Sequence, residues 1–208
     1  MPMWVGALFF TIFACMGYLS TRFAVWLTTR LEVAGDAPAR SEPPLAVALA
    51  LACGAGIVGT SYVSRDAPVF GIALLALVCF ALGFACYADL RSGKIPAVVM
   101  LPILVLLAVV DIYHGAWLSI AAAAMVTAPF AAAAALSKSK NLGWSDVQVV
   151  VLGALVLDVS LGLMVLAAAC FLTVAVAAVR SRLKEPVDFA PYLTSSIGLA
   201  LLVPNALH

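Results

Sequence analysis

The sequence predicts an all-α, polytopic membrane protein of about eight transmembrane helices, with both termini on the outer side. Three observations predict it. Of the 208 residues, 65% are hydrophobic and only 10% are Asp, Glu, Lys or Arg, against about 25% charged in a typical soluble domain. The mean hydropathy is +1.17. The apolar residues also fall into runs long enough to cross a bilayer, with nearly all charges in the segments between them. So few charges cannot cover that much apolar surface in water. The composition excludes an ordinary soluble enzyme, a disordered chain and a nucleic-acid binder. The net charge of +1 says little, because the placement of charges in a membrane protein matters more than their sum.

A spanning helix needs about 20 apolar residues, and non-helical backbone does not face lipid. The apolar runs cover residues 3–27, 45–63, 68–88, 97–110, 115–136, 147–157, 161–179 and 189–203. The first has no basic segment before it and no small-residue cleavage site, and it leads into Arg22 and Arg30. It reads as a retained helix, not a signal peptide. Residues 147–179 are nearly continuous apolar sequence, and as one helix they would be about 50 Å long, too long for a single crossing without severe tilt. A break at Asp158-Val159-Ser160 divides them into a short helix and an ordinary one. Pro102 and Pro129 fall inside runs and predict kinks. The alanines at 121–124 and 131–135 give the fifth helix a small-sided surface suited to close packing in lipid.

The basic residues support the break. With eight crossings, Arg30, Arg40, Arg91, Lys94, Lys138, Lys140, Arg180, Arg182 and Lys184 fall on one side, and only Arg65 on the other. Without it, Arg180, Arg182 and Lys184 change sides and the bias becomes six against four. Positive charge collects on the cytoplasmic side, so the eight-helix pattern puts loops 28–44, 89–96, 137–146 and 180–188 in the cytoplasm. Two N-terminal helices (1–67) then precede a six-helix core (68–208) within a single membrane domain.

Four acidic residues interrupt or border the runs: Asp89, Asp111, Asp146 and Asp158. Asp111 and Asp158 fall at short outer turns and read as turn residues. Asp89 and Asp146 share the cytoplasmic side. The helices that follow the two loops are short, about 21 Å for 97–110 and about 17 Å for 147–157, against a hydrocarbon core of about 30 Å. That shortness predicts a water-accessible recess holding both carboxylates. Two carboxylates close together divide their roles, because repulsion keeps one protonated while the other ionises. The ionised one activates water and the protonated one polarises a carbonyl. A helix N-terminus favours the anion at Asp146, and a C-terminus disfavours it at Asp89. The structural alternative is an N-cap at Ser145 or Asp146, with Asp89 paired to Arg91 or Lys94. The five cysteines, Cys15, Cys53, Cys79, Cys86 and Cys170, form no C-x-x-C pair, so neither zinc nor a disulfide framework is expected.

At these two loops the sequence resembles the type IV prepilin peptidase family, membrane aspartic proteases of the GxGD class. That family has an Asp at a helix end followed six residues later by Ile-Pro-Asn. Here Asp89, Ile95 and Pro96 match, and Ala97 stands at the Asn position. Its second motif is Gly-x-Gly-Asp-x-Lys. Gly143 and Asp146 match, while Ser145 and Gln148 depart. Phe189-Ala190-Pro191-Tyr192-Leu193 follows a third motif, Phe-Gly-Pro-x-Leu, with one change. The resemblance spans about residues 68–203. It implies that Asp89 and Asp146 form an aspartyl dyad, with Lys94 and Gly143 as supporting loop residues. The implied partner is the basic leader of a prepilin or pseudopilin, and the implied location is the bacterial cytoplasmic membrane. It implies no cofactor or metal.

Many family members carry a cysteine-rich methyltransferase domain after the first helix. The corresponding loop here, about 28–44, has no Cys and is too small for a domain, so no methyltransferase activity is expected. Two other readings remain. One is a catalytically inactive homologue acting as a membrane scaffold. The other is a small transporter, which would place ionisable residues near the midplane or repeat a broken helix in two halves.

Overall fold

The computed structural model of the chain describes residues 3–33, 43–63, 69–136, 143–179 and 189–203. These residues form eight α-helices: α1 (Met3–Val33), α2 (Leu45–Val63), α3 (Val69–Ser92), α4 (Ala97–Tyr113), α5 (Trp117–Leu136), α6 (Trp144–Val156), α7 (Val159–Val179) and α8 (Ala190–Ala200). Five of them, α1, α2, α3, α5 and α7, are long and apolar enough to cross a membrane. The architecture is helical and compatible with a polytopic membrane protein. Arg40, Arg65, Lys138, Lys140, Arg180, Arg182 and Lys184, which carry most of the charge asymmetry, lie outside the described residues.

The chain divides into two compact units, residues 1–94 and 95–208. The sequence placed the division at 67/68. The structure instead groups α3 with α1 and α2, and small side chains give the reason. A Cβ at Gly17 would lie 3.0 Å from the Ala52 backbone, and one at Gly83 would collide with Ser20 Oγ. Gly17 and Gly83 thus let α1 approach α2 and α3 closely, the usual means of helix association in lipid. An aromatic cluster joins α1 to α3: the Phe23 ring stacks on Trp26 at 5.6 Å and meets Phe84 at 5.8 Å. The Arg30 guanidinium sits 4.6 Å above the Trp26 ring, a cation–π contact of the kind found at membrane interfaces.

In the second unit α6 is the central element. It packs against α4, α5, α7 and α8, and Val149 and Leu152 are fully buried. Gly153 admits Ile197 of α8, whose Cδ1 would lie 2.8 Å from a Cβ there. By contrast, α5 and α7 expose Leu118, Met125, Met164 and Phe171, each more than 70% accessible. Bulky apolar surface of that extent suits a hydrocarbon solvent and not water.

The expected break in 147–179 is present. Leu157 leaves helical geometry with an extended backbone. Asp158 Oδ2 then accepts the Ser160 N–H at 3.1 Å and the Ser160 hydroxyl at 2.5 Å. Asp158 is therefore the N-cap of α7, in keeping with its reading as a turn residue. Asp111 is likewise part of a helix stop. Its carbonyl accepts the Ala116 N–H at 2.8 Å, and the Gly115 N–H reaches the Ile112 carbonyl at 3.0 Å. With Gly115 at φ 73°, α4 ends in a Schellman motif.

Several helix bounds differ from the sequence expectation, and α3 runs past the expected end at residue 88 to Ser92. Helix α1 runs to Val33, so its 31 residues extend about 46 Å. Helix α4 continues to Tyr113 and reaches about 26 Å, because His114 and Gly115, not the first acid, end it. Helix α8 has 11 residues and spans about 16 Å, less than the run 189–203 suggested, since the chain turns after Ala200.

Candidate active site

Asp89 lies in the last turn of α3 and is 3% exposed. The helix continues three residues past it and stops at Gly93, whose φ is 65°. The Gly93 N–H donates to the Asp89 carbonyl at 2.7 Å. That single bond to a left-handed glycine is the αL stop, which glycine adopts without the penalty of a Cβ. Ser92 reinforces the corner: its one hydroxyl hydrogen is shared between the Ala88 and Lys94 carbonyls, both at 2.9 Å. The backbone that carries Asp89 is thus held by the Gly93 and Ser92 bonds.

Asp146 lies in the first turn of α6 and is 8% exposed. The expected N-cap was Ser145 or Asp146, and the structure corrects this. The N-cap is Gly143, with an extended φ of −85° and ψ of 156°. Asp146 occupies the third helical position and folds back on the cap. Its Oδ2 accepts the Gly143 N–H at 3.0 Å, and its own N–H donates to the Gly143 carbonyl at 3.1 Å. The carboxylate half of a capping box is formed. Gly143 has no side chain with which to complete the other half. The carboxylate also lies where the α6 dipole favours an anion.

Comparison with family models, curated proteins and solved structures finds no match to this chain.

Asp89 and Asp146 belong to different compact units, and each is characterised by its own helix end. Buried carboxylates are rare even in soluble cores and rarer in apolar helices, where an ionisable residue is a candidate for function by default. Lys94 is exposed and follows the αL stop, and Gly143 is half-buried at the α6 cap. Among the described residues, no group of three His, Cys, Asp or Glu side chains is placed to hold a metal ion. All five cysteines are free thiols.

Sequence reasoning did not find a third acid. Glu32, in the last turn of α1, pairs with Arg91 at 3.4 Å between Oε2 and Nη2. The same Nη2 donates to Thr29 Oγ1 at 3.0 Å. The sequence offered Arg91 or Lys94 as a partner for Asp89, and the Arg91 guanidinium has contacts on α1 that it did not anticipate. The one available signal was the position of Glu32 directly after an apolar run otherwise ending in basic residues.

Proposed function

We propose that this protein is a membrane aspartic endopeptidase that cuts the basic leader from a prepilin or pseudopilin at the cytoplasmic face, with Asp89 and Asp146 as its dyad. The observation that carries the reading is the burial of these two carboxylates, each at a defined helix terminus, in helices otherwise almost wholly apolar. They are also the acids of the two motifs that resemble the prepilin peptidase family. In the proposed reaction the ionised carboxylate takes a proton from a water as its oxygen attacks the scissile carbonyl carbon. The protonated carboxyl donates to the carbonyl oxygen. Collapse of the tetrahedral intermediate then breaks the C–N bond: the carboxyl that took the water's proton passes it to the departing amine, and the gem-diol hydroxyl returns a proton to the other carboxylate.

The membrane arrangement is part of the proposal. Eight crossings with both termini outside place Asp89 and Asp146 on the side where a leader is exposed, in the bacterial cytoplasmic membrane. Helix α6, at about 20 Å, is shorter than the hydrocarbon core of about 30 Å. That shortness supports a recess around Asp146. No methyltransferase activity is included.

A second reading has one observation in its favour. The Asp146 carboxylate serves as a helix cap, which is the role it would keep in an inactive homologue that scaffolds pilus or secretion assembly. Reconstitution with a broad panel of prepilins separates the two. The protease reading expects leader removal by wild type and none by Asp89→Asn or Asp146→Asn. Absence of cleavage across the panel would favour the scaffold, and cleavage surviving either substitution would remove that residue from the dyad.

A further inference from the structure

We propose that Glu32, acting through Arg91, is a positioning residue for Asp89, an inference that rests on the protease reading for its catalytic meaning. Arg91 lies two residues beyond Asp89 in the last turn of α3 and is only 5% exposed. A guanidinium so buried needs partners, because burying an unpaired charge is strongly unfavourable. Its Nη2 carries two hydrogens, and both have acceptors on α1: Glu32 Oε2 at 3.4 Å and Thr29 Oγ1 at 3.0 Å. The donor assignment at Thr29 is settled by its own bond. The Thr29 hydroxyl gives its hydrogen to the Val25 carbonyl at 2.8 Å, leaving its oxygen to accept from Arg91.

The helix dipoles show which partner depends on the contact. A cation in the last turn of α3 is favoured by the helix dipole, whereas an anion in the last turn of α1 is disfavoured. Glu32 therefore sits at a helix end that does not want it, held there by a cation on another helix. Glu32 Oε1 is buried and has no hydrogen-bond partner among the described residues, so Arg91 is the contact that compensates its burial.

The geometric consequence falls on Asp89. Successive side chains leave an α-helix about 100° apart, so Arg91 and Asp89 project about 160° from one another. Holding Arg91 against Thr29 and Glu32 fixes the rotation of the last turn and turns the Asp89 position away from α1. The Gly93 stop fixes where the turn ends, and the Glu32–Arg91 clamp fixes which way it faces.

Hydrogen exchange read by mass spectrometry, together with prepilin cleavage, tests the clamp. In Glu32→Gln, exchange over residues 88–93 should rise about tenfold while residues 144–150 stay at the wild-type rate. The kcat for cleavage should fall at least tenfold with KM within about twofold. Thr29→Val, which removes one acceptor and no charge, should give a smaller rise at the same residues. The exchanged pair Glu32→Arg with Arg91→Glu should restore protection over 88–93. Unchanged exchange over 88–93 in both single variants overturns the proposal, and so does an equal rise over 144–150, which marks general destabilisation. If wild type cleaves no prepilin, the protease reading falls, and the exchange pattern still decides whether the clamp exists.

Discussion

The Asp146 carboxylate accepts the Gly143 N–H at 3.0 Å, while the Asp146 N–H donates to the Gly143 carbonyl at 3.1 Å. One side chain therefore closes the first turn of α6 and supplies a proposed catalytic group. The two roles separate by substitution. Asparagine retains a side-chain acceptor for Gly143 but loses the charge that the α6 dipole favours and should cost about 0.3–1 kcal/mol, whereas alanine also loses the hydrogen bond and should cost about 1–2 kcal/mol. Both should lower cleavage by at least a hundredfold. Thermal unfolding in detergent and a leader-cleavage assay measure the two effects. An Asn variant that unfolds normally and still cleaves would leave Asp146 with capping alone.

Gly93 holds the other helix end. With φ at 65° it occupies the left-handed region, where a side chain costs about 1–2 kcal/mol. Gly93→Ala should destabilise the protein by about that amount and lower cleavage, because the Asp89 carbonyl is bonded to the Gly93 N–H. Gly93→Asn should be milder, since asparagine tolerates this conformation. Equal stability of the alanine variant and wild type would show that the αL stop contributes nothing.

Asp158 provides the contrast. Its carboxylate caps α7 through Ser160 and has no place in the proposed chemistry. Asp158→Ala should lower stability by about 1 kcal/mol and leave kcat unchanged once the protein is folded. A loss of kcat comparable to that of Asp89→Asn would give Asp158 a part in the chemistry.

Close packing of α1 and α2 gives a prediction independent of any activity. A Cβ at Gly59 would overlap the ring of Phe13, which is 1% exposed. Gly59→Ala should cost about 1–3 kcal/mol through overpacking. Combining it with Phe13→Leu should recover part of that loss, because the smaller side chain vacates the space. Additive losses in the double variant would place the conflict elsewhere.

Much of the fold is legible in the chain because helix formation in a membrane is a local matter. The break at Asp158 could be predicted from length and charge, and the structure supplies its mechanism in the Asp158–Ser160 cap. Candidate carboxylates could be found because motif spacing along the chain is visible without a fold. The role of Asp146 within its turn was not visible. Ser145 and Asp146 are both good caps by type, and only the extended backbone of Gly143 decides that the helix begins at Trp144.

The pairing of Glu32 with Arg91 was still less accessible, because the partners are 59 positions apart in the chain. In a soluble protein an amphipathic stripe shows which face of a helix turns inward. Here the exposed side chains are as apolar as the packed ones, so hydropathy carries no direction and association depends on small residues and polar contacts.

Scarce charge and long apolar runs, by themselves, determined a helical membrane class, most helix positions and the two carboxylates worth testing. Only the tertiary structure decided that α3 joins α1 and α2, that Asp89 is buried behind a glycine stop, and that Arg91 turns toward Glu32. Backbone hydrogen bonds within a helix are set by neighbours in the chain. The choice of partner helix is set by which glycine, serine or charged side chain fits across a gap, and a single sequence does not show which residues face each other there.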